Sequence, residues 1–134
     1  MRYIALFENL TGAVAKDCVI DQSASRIIFV VRPGDMGLAI GRNGVNIQRL
    51  RNILGKQVEV VEYADNPELF IKNLFSPAKV KAIKITKMPD GRKVAYVSVE
   101  AKDKGLAIGK NGRNITRARF LAKRHFDIDH VSVI

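Results

Sequence analysis

Hydrophobic residues recur along this chain in two alternating rhythms, and the boundaries between the rhythms predict its elements. Arg26 to Val31 is an apolar run and Val94 to Val99 alternates apolar with polar; both read as strands. Each has a predicted partner ahead of it, Val14 to Ile20 joined through Asp21 to Ser25, and Val80 to Thr86 joined through the turn sequence Met88-Pro89-Asp90-Gly91. Further strands are expected over Val58 to Val61 and Phe126 to Val133. Helical spacing marks Arg2 to Leu10. It also marks the stretch after Asn66-Pro67-Glu68, where a capping Asn, a Pro at the first helical position and a Glu in the first turn open a helix that stops at Pro77. Asp35 and Asp103 are placed to cap short helices ending at Ile40 and Ile108. Second helices follow Gly44 and Gly112, with Ile47, Leu50, Ile53 and Leu54 on one face, and Ile115, Ala118, Leu121 and Ala122 in the corresponding positions.

The pattern is a duplication. GLAIGRNGVNIQRLRNILGKQV from Gly37 and GLAIGKNGRNITRARFLAKRHF from Gly105 lie 68 residues apart and agree at 11 of 22 positions. The chain of 134 residues therefore reads as two units, 1–65 and 66–134, each ordered helix, strand, strand, helix, helix, strand. The expected fold class is α+β: two three-stranded sheets, each with helices packed on one face. A domain this small buries only about 60% of its unfolded surface, so the two copies are expected to pack as a stiff tandem.

With 47% hydrophobic and 27% charged residues the composition is that of a soluble globular protein. Charge narrows the partners. The net charge is +10, with +1 in residues 1–65 and +9 in residues 66–134. Nucleic acid and anionic membrane are the polyanions to consider. The longest apolar run, Ile27 to Val31, is far short of the ~20 residues that cross a bilayer, and the N-terminus meets Glu8 too early for a secretory core. One cysteine, Cys18, in an apolar stretch reads as a buried thiol in a reducing compartment, so a cytoplasmic location is expected.

Between the paired short helices stand Ile40-Gly41-Arg42-Asn43-Gly44-Val45-Asn46-Ile47 and Ile108-Gly109-Lys110-Asn111-Gly112-Arg113-Asn114-Ile115. Glycines let the backbone turn sharply and approach a ligand closely, beside the N–H groups that open a helix. The central Arg42 or Lys110 adds a full charge, and Asn43 or Asn111 tolerates a left-handed conformation. Two glycines three apart are common in ordinary turns; the same loop twice, basic both times, points to a phosphate clamp.

An aliphatic residue, Gly-x-x-Gly and a second aliphatic residue resemble the motif of the KH domain. The element order is similar to its type II form, and the tandem pair, over the whole chain, resembles the NusA family of transcription termination and antitermination factors. That resemblance implies two tandem type II KH domains holding single-stranded RNA. Gly41, Arg42, Asn43 and Gly44 would take one segment of backbone and Gly109, Lys110, Asn111 and Gly112 the next. Ile40, Ile47, Ile108 and Ile115 would border the bases, although aliphatics at this spacing serve a core equally well. Asn46 and Asn114 would touch sugar or base, or cap the helix locally. The resemblance further implies association with a transcription elongation complex. Bacterial members add a polymerase-binding domain and an OB-type domain, for which 134 residues leave no room.

The second unit's charge is expected to form a phosphate track through Lys102, Lys104, Lys110, Arg113, Arg117, Arg119, Lys123 and Arg124, with Arg113 and Arg117 on one helical stripe; the first unit offers Arg42, Arg49 and Arg51. This division predicts that the second unit supplies most non-specific affinity and the first adds register. Nine aromatic residues without a Trp make stacking platforms a minor device, and Gly109-Lys110 lacks the spacing of a nucleotide P-loop. His125, Asp127 and Asp129 would share a strand face, yet solvent-facing polar residues explain that pattern and no metal or other cofactor is expected. No nucleophile has a base partner, so no enzyme is expected. A monomer is anticipated. The remaining readings are a ribosome-associated KH protein and a protein-binding adaptor.

Overall fold

A computed structural model describes residues 2–134. The chain divides into two compact units, the first ending at Ala64 and the second starting at Asp65. The first comprises α1 (Arg2–Thr11), β1 (Ala15–Asp21), β2 (Arg26–Val31), α2 (Met36–Ile40), α3 (Val45–Leu54) and β3 (Gln57–Glu62). The second repeats that order with α4 (Pro67–Phe75), β4 (Val80–Lys87), β5 (Lys93–Val99), α5 (Lys104–Ile108), α6 (Arg113–Phe126) and β6 (His130–Val133). Each sheet is mixed: the first hairpin is antiparallel, and the third strand joins the central one in parallel after the helix pair.

The first core lies between sheet and helices. Alternate residues of β2, namely Ile27, Phe29 and Val31, meet Phe7 of α1, Ala39 of α2, Leu50 of α3 and Val58 of β3. Phe7 stacks on Phe29 with ring centroids 4.2 Å apart. Every residue of β2 is buried. Arg26 is among them, its guanidinium bonded to Asp21 at 2.8 Å and Glu59 at 3.2 Å. In the second unit Ala95, Val97, Val99 and Val131 are buried together with Ile115, Ala118, Leu121 and Ala122 of α6, while α4 packs on α6 and β4.

Several expectations need correction. Asp35 and Asp103 do occupy the positions before α2 and α5, but neither side chain caps its helix. Each reaches instead to the residue preceding the first strand: Asp35 accepts from the Val14 N–H at 2.8 Å and Asp103 from the Lys79 N–H at 2.9 Å. These matched bonds fix the strand-leading residues of the two copies as equivalents. Ile53 is exposed, because the stripe through Ile47, Leu50 and Leu54 leaves it at the margin. Phe126 to Asp129 is not strand. Where α3 stops at the left-handed Gly55, α6 has no glycine and runs on to Phe126, ending at a left-handed Asp127. Lys123 holds that end by bonding both Asp127 and Asp129 at 2.7 Å. With the strand gone, His125, Asp127 and Asp129 share no strand face, and among the described residues no group of three metal-ligating side chains occurs. Cys18 is half-buried rather than buried. No described helix is long and apolar enough to cross a membrane.

Candidate functional site

Each loop is fixed by backbone dihedrals that its residue types permit and others resist. Gly41 adopts φ 78°, ψ 170° and Gly109 adopts 79°, 167°, a region open essentially to glycine alone. Asn43 at 55°, 28° and Asn111 at 57°, 26° are left-handed, as are Gly44 and Gly112. Asn is the side-chain-bearing residue that enters this region most readily, with Asp. The loops close identically: the Gly41 N–H donates to the Gly37 carbonyl and the Gly44 N–H to the Gly41 carbonyl, with the same bonds at Gly109 and Gly112.

Asn46 and Asn114 build the loop. Each amide nitrogen donates at 2.8 Å to a carbonyl eight residues earlier, Leu38 and Leu106, tying the entering helix to the leaving one. That bond brings the Asn side chain against the first glycine, where an added Cβ would sit 2.8 Å from the amide carbon of Asn46 or Asn114. The recurring Gly-basic-Asn-Gly-x-Asn is thus one mechanical unit, in which the second Asn requires the first Gly. Its signal was the exact recurrence of the spacing.

The aliphatic residues divide. Ile115 is buried, and Ile47 packs half-buried against the first core. Ile40 and Ile108 are exposed. Beside them are two residues that periodicity did not single out, Leu38 at 50% exposure and Leu106 at 46%, while Ala39 and Ala107 between them are fully buried. In both copies, then, the small residue of Leu-Ala-Ile enters the core and the two large ones face solvent. This inverts the usual burial preference. The retention of Leu-Ala-Ile next to both glycine loops was the available clue.

Arg42, Asn43, Lys110 and Asn111 are exposed. The expected phosphate track is thinner along α6 than its charges suggest, with Arg124 exposed and several other cations engaged. Arg117 is only 9% exposed and its guanidinium donates at 2.9 Å to the Leu74 carbonyl at the end of α4, so it holds two helices together and leaves the candidate surface. Arg119 donates to the Val131 carbonyl, Arg51 to that of Val58, and Lys123 is engaged by two carboxylates. Arg113 is half-buried at the start of α6. Lys102 and Lys104 remain exposed just ahead of α5. They are joined by Lys79, placed there by its backbone bonds to Asp103 and Glu100. The equivalent of Lys79 in the first unit is Val14, and those of Lys102 and Lys104 are Gly34 and Met36. The lysine cluster therefore belongs to the second copy alone.

Each site thus offers a rigid glycine-lined turn with one exposed cation at its tip and two exposed aliphatic side chains on the helix leading into it. Such an arrangement can receive phosphate at the backbone and a flat apolar group beside it.

Comparison with known proteins agrees with the fold. Residues 1–88 match the KH domain model, and residues 67–133 match the model of the NusA-like second KH domain. The chain is 43% identical to the probable transcription termination protein NusA of Halococcus morrhuae, covering 99% of this chain and 93% of that one. It is 35% identical to the protein so named in Methanococcus vannielii, over 98% of this chain and 74% of that one. A solved structure described as the crystal structure of APE1850 superposes with a TM-score of 0.88 at 41% identity, covering 99% of this chain and 96% of that chain. By its fold, its paired glycine loops and these relatives, the chain belongs to the NusA family of tandem KH-domain proteins.

Proposed function

We propose that this protein binds single-stranded RNA and acts in transcription termination or antitermination by holding nascent RNA at both Gly-x-x-Gly loops, as a cytoplasmic monomer working beside the elongation complex. The reading rests above all on the recurrence of one strained loop, with dihedrals alike within a few degrees in the two units and an exposed basic residue at each tip. Backbone of the RNA runs over Gly41 to Gly44 in the unit 1–65 and over Gly109 to Gly112 in the unit 66–134. Leu38 and Ile40, and Leu106 and Ile108, lie beside the bases. Arg42 and Lys110 supply charge, and in the second unit Lys79, Lys102 and Lys104 extend it.

Two modest clamps on one chain act as a stronger one, because the second contact is intramolecular once the first is made. The second unit, with nearly all the net charge, contributes most of the counterion release, and the first contributes register. The test is binding of single-stranded RNA, single-stranded DNA and duplex to the wild type and to a variant carrying Arg42→Asp, Asn43→Asp, Lys110→Asp and Asn111→Asp. Preference for single-stranded RNA, lost in a variant that keeps its circular dichroism spectrum, supports the clamp. Undiminished binding by the variant would mean that the loops are structural turns.

A further inference from the structure

Of the six phenylalanines, Phe7, Phe29, Phe70 and Phe75 are buried and Phe126 is half-buried against Phe70. Phe120 is 50% exposed. It stands on the outward side of α6, with Thr116 one turn before it and Arg124 one turn after. Arg113 lies on the same stripe at the helix start, about 10 Å away along the axis at 1.5 Å per residue. Among the cations of α6, Arg117 is buried and Lys123 is bonded to two carboxylates, while Arg124 is exposed and Arg113 half-buried on the stripe of Phe120, and the helix begins at the Gly109–Gly112 loop. A single exposed apolar side chain is ordinary on a protein surface. An aromatic ring on a basic helix that leads away from a phosphate-binding loop is a different environment.

The first copy shows that the fold does not require the ring. The residue equivalent to Phe120 is Asn52 on α3, an exposed side chain bonded to Gln48, and that unit folds in the same way. The ring is therefore a feature of the second copy alone, and one that the fold does not need.

We propose that Phe120 is a stacking platform for a nucleobase of the single-stranded RNA, next to the segment held at the Gly109–Gly112 loop. This inference rests on the RNA-binding reading and deepens it. The ring offers its face to a base without regard to sequence, and the charges of Arg113 and Arg124 on its stripe favour the phosphates on either side. A protein docking on the same spot would prefer an apolar neighbourhood to this one.

Phe120→Asn, which copies the first unit, and Phe120→Trp test the idea. The chain has no Trp, so the second variant carries a single reporter. With an RNA long enough to pass the loop and run along α6, Phe120→Asn is expected to weaken binding about tenfold. Phe120→Trp is expected to retain affinity, with its emission quenched on saturation. A four-nucleotide RNA, which fills only the loop, is expected to bind both variants like wild type. Equal affinity of Phe120→Asn for the long RNA, or an unchanged Trp emission at saturation, would overturn the platform and leave the loops standing as the RNA site. Failure of the wild type to bind RNA would overturn the loop reading itself, and the platform with it.

Discussion

Gly41 and Gly109 resist a side chain, because a Cβ there meets Asn46 or Asn114 at 2.8 Å and the backbone lies at φ near 78°. Gly44 has open space around its missing Cβ and is constrained by conformation alone. Gly41→Ala should accordingly destabilise the first unit more than Gly44→Ala, whose cost is that of one left-handed Ala, about 1–2 kcal/mol. Denaturant titration of the two variants checks the order, and equal losses would remove the Asn46 contact as the reason for Gly41. Asn46→Ala should cost roughly 1 kcal/mol through the lost bond to Leu38. At this scale the glycines, the basic tips and the left-handed Asn43 and Asn111 were legible, since conformational freedom and charge belong to the residue itself. The role of Asn46 was not, because its partner is a backbone carbonyl on another helix. Arg117 misled for the same reason: charge and spacing put it on a stripe with Arg113, and only packing shows that Arg117 itself turns under α4.

Between elements, the polar links decide where chain ends sit. Arg117→Ala removes the bond from α6 to the last turn of α4 and is expected to cost about 2 kcal/mol of stability, the scale of a hydrogen bond to a charged group. RNA affinity of the folded fraction should fall less than in Lys110→Ala; the reverse order would return Arg117 to the binding surface. Several carboxylates are held below the ordinary Asp range: Asp35 chiefly by the Val14 N–H, Asp129 chiefly by Lys123, and Asp21 chiefly by Ser23, with Arg26 adding to it. A carboxyl with a depressed folded pKa stabilises the protein above its unfolded value near 3.9 and loses that contribution as pH falls through the folded value. Thermal stability should therefore drop progressively below about pH 4, and less steeply in Asp35→Asn, which starts from a lower value at neutral pH. A pH dependence unaltered by Asp35→Asn would contradict this. Strands and most helices were readable from periodicity together with the turn and cap residues that bound them. The end of α6 was not: polar residues from His125 to Asp129 alternate with Phe126 and Ile128 like a strand, while the absence of a glycine at the position of Gly55 lets the helix continue.

In the whole molecule, duplication is the informative feature, because each copy serves as the control for the other. The loop is shared and so belongs to the common function; the lysines at 79, 102 and 104 and the ring at 120 occur once and mark what the second copy does alone. Changing Lys79, Lys102 and Lys104 together to Ala should lower the slope of log affinity against log salt by about 2, since each phosphate contact on a single strand contributes about 0.7. An unaltered slope would show that these lysines are merely solvated. The repeat, the fold class and the location of the charge in the second half could all be read from the chain. Which lysines remain exposed could not, because burial and pairing among basic residues are set by the tertiary arrangement.

The most direct test compares one single-stranded RNA against four proteins: wild type, Arg42→Asp with Asn43→Asp, Lys110→Asp with Asn111→Asp, and all four changes together. The two-clamp account predicts a loss from either pair, the larger from the second, and near-complete loss from the four. A folded four-fold variant that binds as tightly as wild type would contradict it.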